Sequence, residues 1–134
     1  MSRKSARELL FKMVFETLFI EPSQTDSYDN FIKDETIEED NKKFISENFS
    51  SIIKNNEELT KVIENSLSET FPLDRIFKID LAILLVATNE LVNYKETPVK
   101  VVVNEAVELS KKYSTDKSYS FINGVLAKII KNIG

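Results

Sequence analysis

The sequence predicts an all-α fold, and three observations support this. Two glycines and three prolines among 134 residues leave little of the turn chemistry that many short strands require. Apolar residues recur at spacings of three and four along most of the chain. An apolar content of 42% is ordinary for a folded domain that buries a real core.

From Ala6 to Ile20 the polar exceptions Glu8, Lys12 and Glu16 repeat every four residues. This spacing predicts a central helix with one narrow polar stripe, on which Glu8/Lys12 and Lys12/Glu16 can pair. A polar, acidic connection follows from Glu21 to about Asn41, with one short helix around Phe31 and Ile32. Phe44/Ile45, Phe49 and Ile52/Ile53 mark an amphipathic helix, and Leu59, Val62/Ile63 and Leu67 mark another after Lys54-Asn55-Asn56. Phe71-Pro72-Leu73 stops the second, because proline disfavours helix in the residue before it. Asp74 is expected to cap a helix running to about Tyr94, whose segment Leu81 to Ala87 is apolar all round and must be sandwiched. Thr97-Pro98 reads as a cap followed by a first-turn proline, with Val99, Val102, Ala106, Leu109 and Tyr113 on one face. A last helix begins near Asp116, carries Ile122, Leu126, Ile129 and Ile133 as its core stripe and passes Gly124; the final residue is Gly134.

Cysteine and histidine are both absent. Disulfides, thiolate nucleophiles, zinc ribbons and the commonest general base are thereby excluded, so only carboxylate, lysine or tyrosine chemistry is left for an enzyme. No Gly-rich phosphate loop, nucleophile elbow or calcium loop occurs, and no cofactor is expected. No apolar run is long enough to cross a bilayer and no signal core opens the chain, which together predict a cytoplasmic protein with no membrane partner.

Net charge is −4, but unevenly placed. Residues 1–12 carry four cations against Glu8, residues 21–70 carry thirteen acids against five lysines, and residues 95–134 carry seven lysines against four acids. Both ends are basic around an acidic middle. Arg3, Lys4 and Arg7 fall within about a 100° arc at the opening of the first helix, where free backbone N–H groups add positive potential and phosphate is the obvious ligand. Short basic N-termini are also commonly just solvated. Phe121 lies about 120° from the centre of its helix's apolar stripe, beside Lys117, Gly124 and Lys128. An aromatic among lysines stacks a base or fills an interhelical seam, and glycine admits a ligand backbone or another helix; the sequence supports each alternative. Lys100 and Lys111 share an outer face that extends a basic surface or is simply hydrated. Asp80 precedes the apolar run as an interface acid or an ordinary helix-start acid, and Glu90, on a core-facing arc, reads as a paired structural acid.

The opening Arg3-Lys4-Ser5-Ala6-Arg7-Glu8, the stretch Thr97-Pro98-Val99-Lys100 through Asn104-Glu105-Ala106-Val107-Glu108-Leu109, and Phe121-Ile122-Asn123-Gly124-Val125-Leu126 together resemble the NusB family. The resemblance covers the whole length, with its specificity at the two ends. It implies about seven helices in two small bundles, an N-terminal subdomain over about 1–70 and a C-terminal one over about 71–134, and no catalysis. It also implies transcription antitermination: binding of boxA-type single-stranded RNA together with the ribosomal protein that acts as NusE, within an antitermination complex on RNA polymerase, with homodimers in some relatives. Carried over, the RNA surface comprises Arg3, Lys4, Arg7 and Phe121, and Asp80 meets the protein partner; from their own positions, Lys100 and Lys117 are expected to extend that surface. Serine stands at position 5 where relatives often have arginine, and Leu85 and Asn89 replace a frequent arginine and tyrosine.

Three or four phosphate contacts to single-stranded RNA give a log–log salt slope of only about −2 to −3, so a protein partner is expected to complete the site. The mechanism requires the opening turn of the first helix and the aromatic face of the last to form one cationic patch. A purely protein-binding helical adaptor, or an accessory domain of a separate RNA-modifying enzyme, are the alternative readings.

Overall fold

The computed structural model describes residues 1–133; Gly134 lies outside the described residues. Among the described residues are seven α-helices and no strand: α1 (Arg3–Thr17), α2 (Ser27–Lys33), α3 (Glu39–Lys54), α4 (Asn56–Asn65), α5 (Lys78–Asn89), α6 (Val99–Tyr113) and α7 (Ser118–Ile133). Single 3₁₀ turns occupy Pro22–Gln24 and Leu73–Arg75, and a π turn, Glu90–Tyr94, prolongs α5.

Ser2 starts α1, its Oγ accepting the Ser5 N–H at 3.0 Å, a cap that typically contributes about 1 kcal/mol. The helix ends at Thr17, short of the expected Ile20, because the amides of Phe19 and Ile20 both turn back onto the Glu16 carbonyl. Phe19 and Ile20 are left exposed, so the apolar run outlasts the helix. Glu16 leaves the expected pairing with Lys12 and instead accepts from the hydroxyls of Thr25 and Ser27, which fastens the start of α2 to α1.

The all-apolar segment becomes the hub: Ala82 through Ala87 are buried, and α5 packs against α1, α3, α4, α6 and α7. Its start differs from expectation. Asp74 lies in the 3₁₀ turn, and α5 begins only at Lys78, after extended Phe77. At the other end the π turn closes on Lys95, whose left-handed φ of 56° reverses the chain into α6. Thr97 does not cap α6, since its hydroxyl points to Glu90. Asn89, at a departure from the family pattern, is fully buried: its Nδ2 donates to Asn48 Oδ1 at 2.9 Å and its Oδ1 accepts from Ser51 and Asn93. The polar group is thus tolerated by a matched partner on α3.

Candidate nucleic-acid interface

Arg7 sits where the sequence did not place it. Only 5% exposed, it donates from Nε and Nη2 to the two oxygens of Glu90, each at 2.9 Å, and Nη2 also reaches Thr97 Oγ1 at 3.3 Å. Thr97 in turn donates to Glu90 Oε1 at 3.0 Å. This bidentate pair fixes α1 to the end of α5 and to the segment entering α6, and its guanidinium is already committed to a buried carboxylate. Arg7 is therefore a structural cation and not part of the exposed surface. Glu90 is the paired structural acid that its core-facing position suggests.

Arg3 is half-buried. Its Nε donates to Asn41 Oδ1 at 2.9 Å, and the guanidinium lies 4.3 Å from the centroid of the Phe44 ring. Asn41 also holds the Met1 carbonyl, and the terminal amine pairs with Glu38 at 3.1 Å, so the chain start is tied to the opening of α3. Lys4 is exposed on a shallow groove of about 260 Å³ between α1 and α6, shared with Glu8, Glu105, Glu108, Lys111 and Lys112. Glu8 accepts from the Tyr113 hydroxyl and from Lys112 at 2.9 Å. The Tyr113 hydrogen bond first, and Lys112 second, hold the Glu8 carboxyl below its ordinary pKa; the same contact raises Lys112.

Asp80 is likewise interior, 3% exposed, and accepts from Ser114 Oγ at 2.6 Å and Ser118 Oγ at 2.9 Å. It joins the first turn of α5 to the α6–α7 connection. The exposed interface carboxylate expected there is replaced by an internal tie, because α7 begins at Ser118 and brings that hydroxyl onto the acid.

Phe121 is half-buried, its ring 5.2 Å from Phe71 and tilted by 46°. The two rings separate two hollows. One, about 340 Å³, lies among Arg75, Phe77, Lys117 and Ser118, with Arg75, Phe77 and Lys117 exposed; the other, about 300 Å³, lies among Ser68, Ser120, Gly124 and Lys128. Phe71, Arg75 and Phe77 were missed as site residues, since Phe71-Pro72 registers only as a helix stop. An aromatic residue on either side of an arginine in one short connection was the available signal.

The expected single patch is not formed. Asp80 in the first turn of α5 and Glu90 at the start of the π turn that prolongs it are ten residues apart, about 15 Å along the helix axis. Arg3 and Arg7 gather at the Glu90 end, and exposed Lys100 follows Thr97 there. Lys117 and Phe121 gather at the Asp80 end. Lys4 and Lys112 line the groove between α1 and α6.

These features define a class: an all-helical protein whose recognition chemistry lies on an open surface, cations beside aromatic rings, suited to a polyanion. The NusB family model matches residues 3–131, and the chain belongs to the NusB family. It is 36% identical over 131 residues to the transcription antitermination protein NusB of Acetivibrio thermocellus, covering 98% of this chain and 90% of that one. With the corresponding protein of Lachnoclostridium phytofermentans the identity is 39% over 132 residues, covering 97% and 99%. Among solved structures, T. maritima NusB superposes with a TM-score of 0.86 at 31% identity over 98% of this chain and 92% of that one. A crystal structure of the antitermination factors NusB and NusE in complex with dsRNA superposes with a TM-score of 0.84 at 25% identity, covering 97% and 96%.

Proposed function

We propose that this chain is a non-catalytic transcription antitermination factor of the cytoplasm, which binds a boxA-type RNA together with a NusE-type ribosomal protein and helps assemble a complex on RNA polymerase. The observation that carries the RNA reading is the Phe71/Phe121 ridge, with Arg75 and Lys117 on its rim. Unstacked bases lie against aromatic rings while cations neutralise the adjoining phosphates, an arrangement suited to single-stranded RNA and closed to the interior of a duplex. The antitermination role accords with the relatives of this chain, and a related NusB–NusE pair binds RNA, there double-stranded.

A protein partner has a separate place to bind. The rings of Tyr113, Phe11, Phe15 and Phe19 follow one another from the end of α6 to the end of α1, each within 6.3 Å of the next. Phe19, the last ring of this row, is 62% exposed. An apolar ring left in water there suits a protein surface better than a phosphate backbone. With Asp80 internal, the partner contact is apolar in this reading.

Fluorescence anisotropy with labelled boxA RNA, with and without the NusE-type protein, tests the proposal. Phe121→Ala is expected to weaken RNA binding about fivefold or more, the loss of one stacking platform. Single-stranded RNA should compete and duplex RNA should not. Equal binding by wild type and variant would overturn the reading and favour the protein adaptor.

A further inference from the structure

We propose that the hollow floored by Gly124 is a second nucleotide subsite, on the far side of the Phe71/Phe121 ridge from Arg75 and Lys117. The inference rests on the RNA reading above. Gly124 is the seventh residue of a sixteen-residue helix, with no positive φ. Glycine is the least favourable helix residue after proline, so its presence there needs a reason. Close helix packing is not the reason: a Cβ built on Gly124 meets nothing within 4 Å, and the residue is exposed. What the missing side chain spares is therefore space outside the protein.

That space has the lining of a nucleotide site. One wall is the Phe71/Phe121 pair, which the hollow shares with its neighbour. On α7, Ser120, Gly124 and Lys128 stand at successive intervals of four, so one helical face presents a hydroxyl, a bare backbone and an ammonium group in a row. Lys128 makes no ion pair among the described residues. Lys117 and Lys128, eleven residues apart, lie about 16 Å apart along the helix axis, one on the rim of each hollow. An anionic strand laid across the ridge meets a cation on each side, with the sugar–phosphate backbone closest to the protein over Gly124. The positive rim and the exposed hydroxyls of Ser68 and Ser120 favour a ribonucleotide over an apolar peptide.

The test uses the full chain with its NusE-type partner and single-stranded boxA RNA. Gly124→Met projects into the hollow from a helix that tolerates methionine, so thermal stability is expected to hold or rise while RNA affinity falls about fivefold or more. Lys128→Gln provides a second variant, and it should make the log–log salt slope shallower by about 0.7. RNA shortened by one nucleotide at the end lying in the hollow should bind wild type more weakly, yet bind Gly124→Met as well as the full-length RNA does. Should Phe121→Ala lose RNA while Gly124→Met and Lys128→Gln bind as wild type, the second subsite is overturned and the RNA reading stands. If Gly124→Met loses the protein partner but not RNA, the glycine serves a protein contact and the inference fails. Absence of RNA binding by wild type would overturn both.

Discussion

Removing Arg7 separates a structural role from an RNA-binding one. Its guanidinium and the Glu90 carboxylate are 5% and 1% exposed and joined by two bonds of 2.9 Å. Arg7→Ala strands a buried carboxylate, a change that costs about 3–5 kcal/mol. Unfolding entropy near the midpoint is about 2.1 cal/mol/K per residue, or about 0.28 kcal/mol/K for this chain, so Tm should fall by about 11–18 °C. Replacing both partners by apolar residues, Arg7→Met with Glu90→Leu, removes the stranded charge and should restore most of that loss. Thr97 then loses its acceptor but lies at a partly exposed position that water reaches. Calorimetry on the two single variants and the double variant gives the coupling, and anisotropy with boxA RNA on the folded double variant gives the recognition. A fall of less than about 3 °C for Arg7→Ala, or lost RNA affinity in a stable double variant, would refute the structural assignment.

Three further outcomes follow from the same geometry. Asp80→Ala leaves the Ser114 and Ser118 hydroxyls without their acceptor and should cost about 2–3 kcal/mol in urea unfolding, with RNA affinity unchanged once folded; an undiminished midpoint would contradict the internal tie. Glu8 has a lowered folded-state pKa, chiefly through the Tyr113 hydrogen bond, so its stabilisation is present above the unfolded-state pKa and lost as pH falls through the folded one. Thermal melts of Glu8→Gln should therefore lie below wild type at neutral pH and converge with it on the acid side of the ordinary glutamate range; parallel curves throughout would contradict this. Lys117→Gln should make the salt slope of RNA binding shallower by about 0.7, whereas Lys100→Gln, at the other end of α5, should leave it unchanged, and the reverse order would move the RNA to the Arg3 end.

Periodicity made the helices legible because each buries a continuous face, and the all-apolar Leu81 to Ala87 stretch could only be the hub. Capping was less legible. Asp74 and Thr97 have the right chemistry for caps, but tertiary partners decide where such side chains point, and Glu90 draws Thr97 away. The site suffered from the same limitation. A helical wheel shows that Arg3, Lys4 and Arg7 share an arc, but it does not show that a carboxylate eighty-three residues later in the chain faces one of them. Likewise Asp80 resembles a surface acid until the serine hydroxyls of the α6–α7 connection are folded onto it. Phe121 and Lys117 were legible because they lie off their helix's apolar stripe, whereas Phe71 and Arg75 depend on a connection whose path no periodicity describes.

The two buried carboxylates explain why the cations divide as they do. Glu90 and Asp80 stand at opposite ends of α5, the one gripping α1 and the entry to α6, the other gripping the exit from α6 and the start of α7. Each end needs hydrogen-bond donors to satisfy a carboxylate taken out of water. At the Glu90 end the donor is an arginine, which removes one cation from the surface. At the Asp80 end the donors are neutral serines, so Lys117 and Arg75 stay exposed beside the aromatic ridge. The neutral serine tie satisfies Asp80 without drawing on Lys117 or Arg75, whose charge stays at this end beside the half-buried Phe71/Phe121 pair and its two hollows. Exchanging the ties, with a basic residue at position 118, would bury a longer charged side chain against Asp80 and shift the α7 start that carries Phe121. Recognition at this end thus depends on a neutral hydrogen-bonded anchor beneath a charged rim.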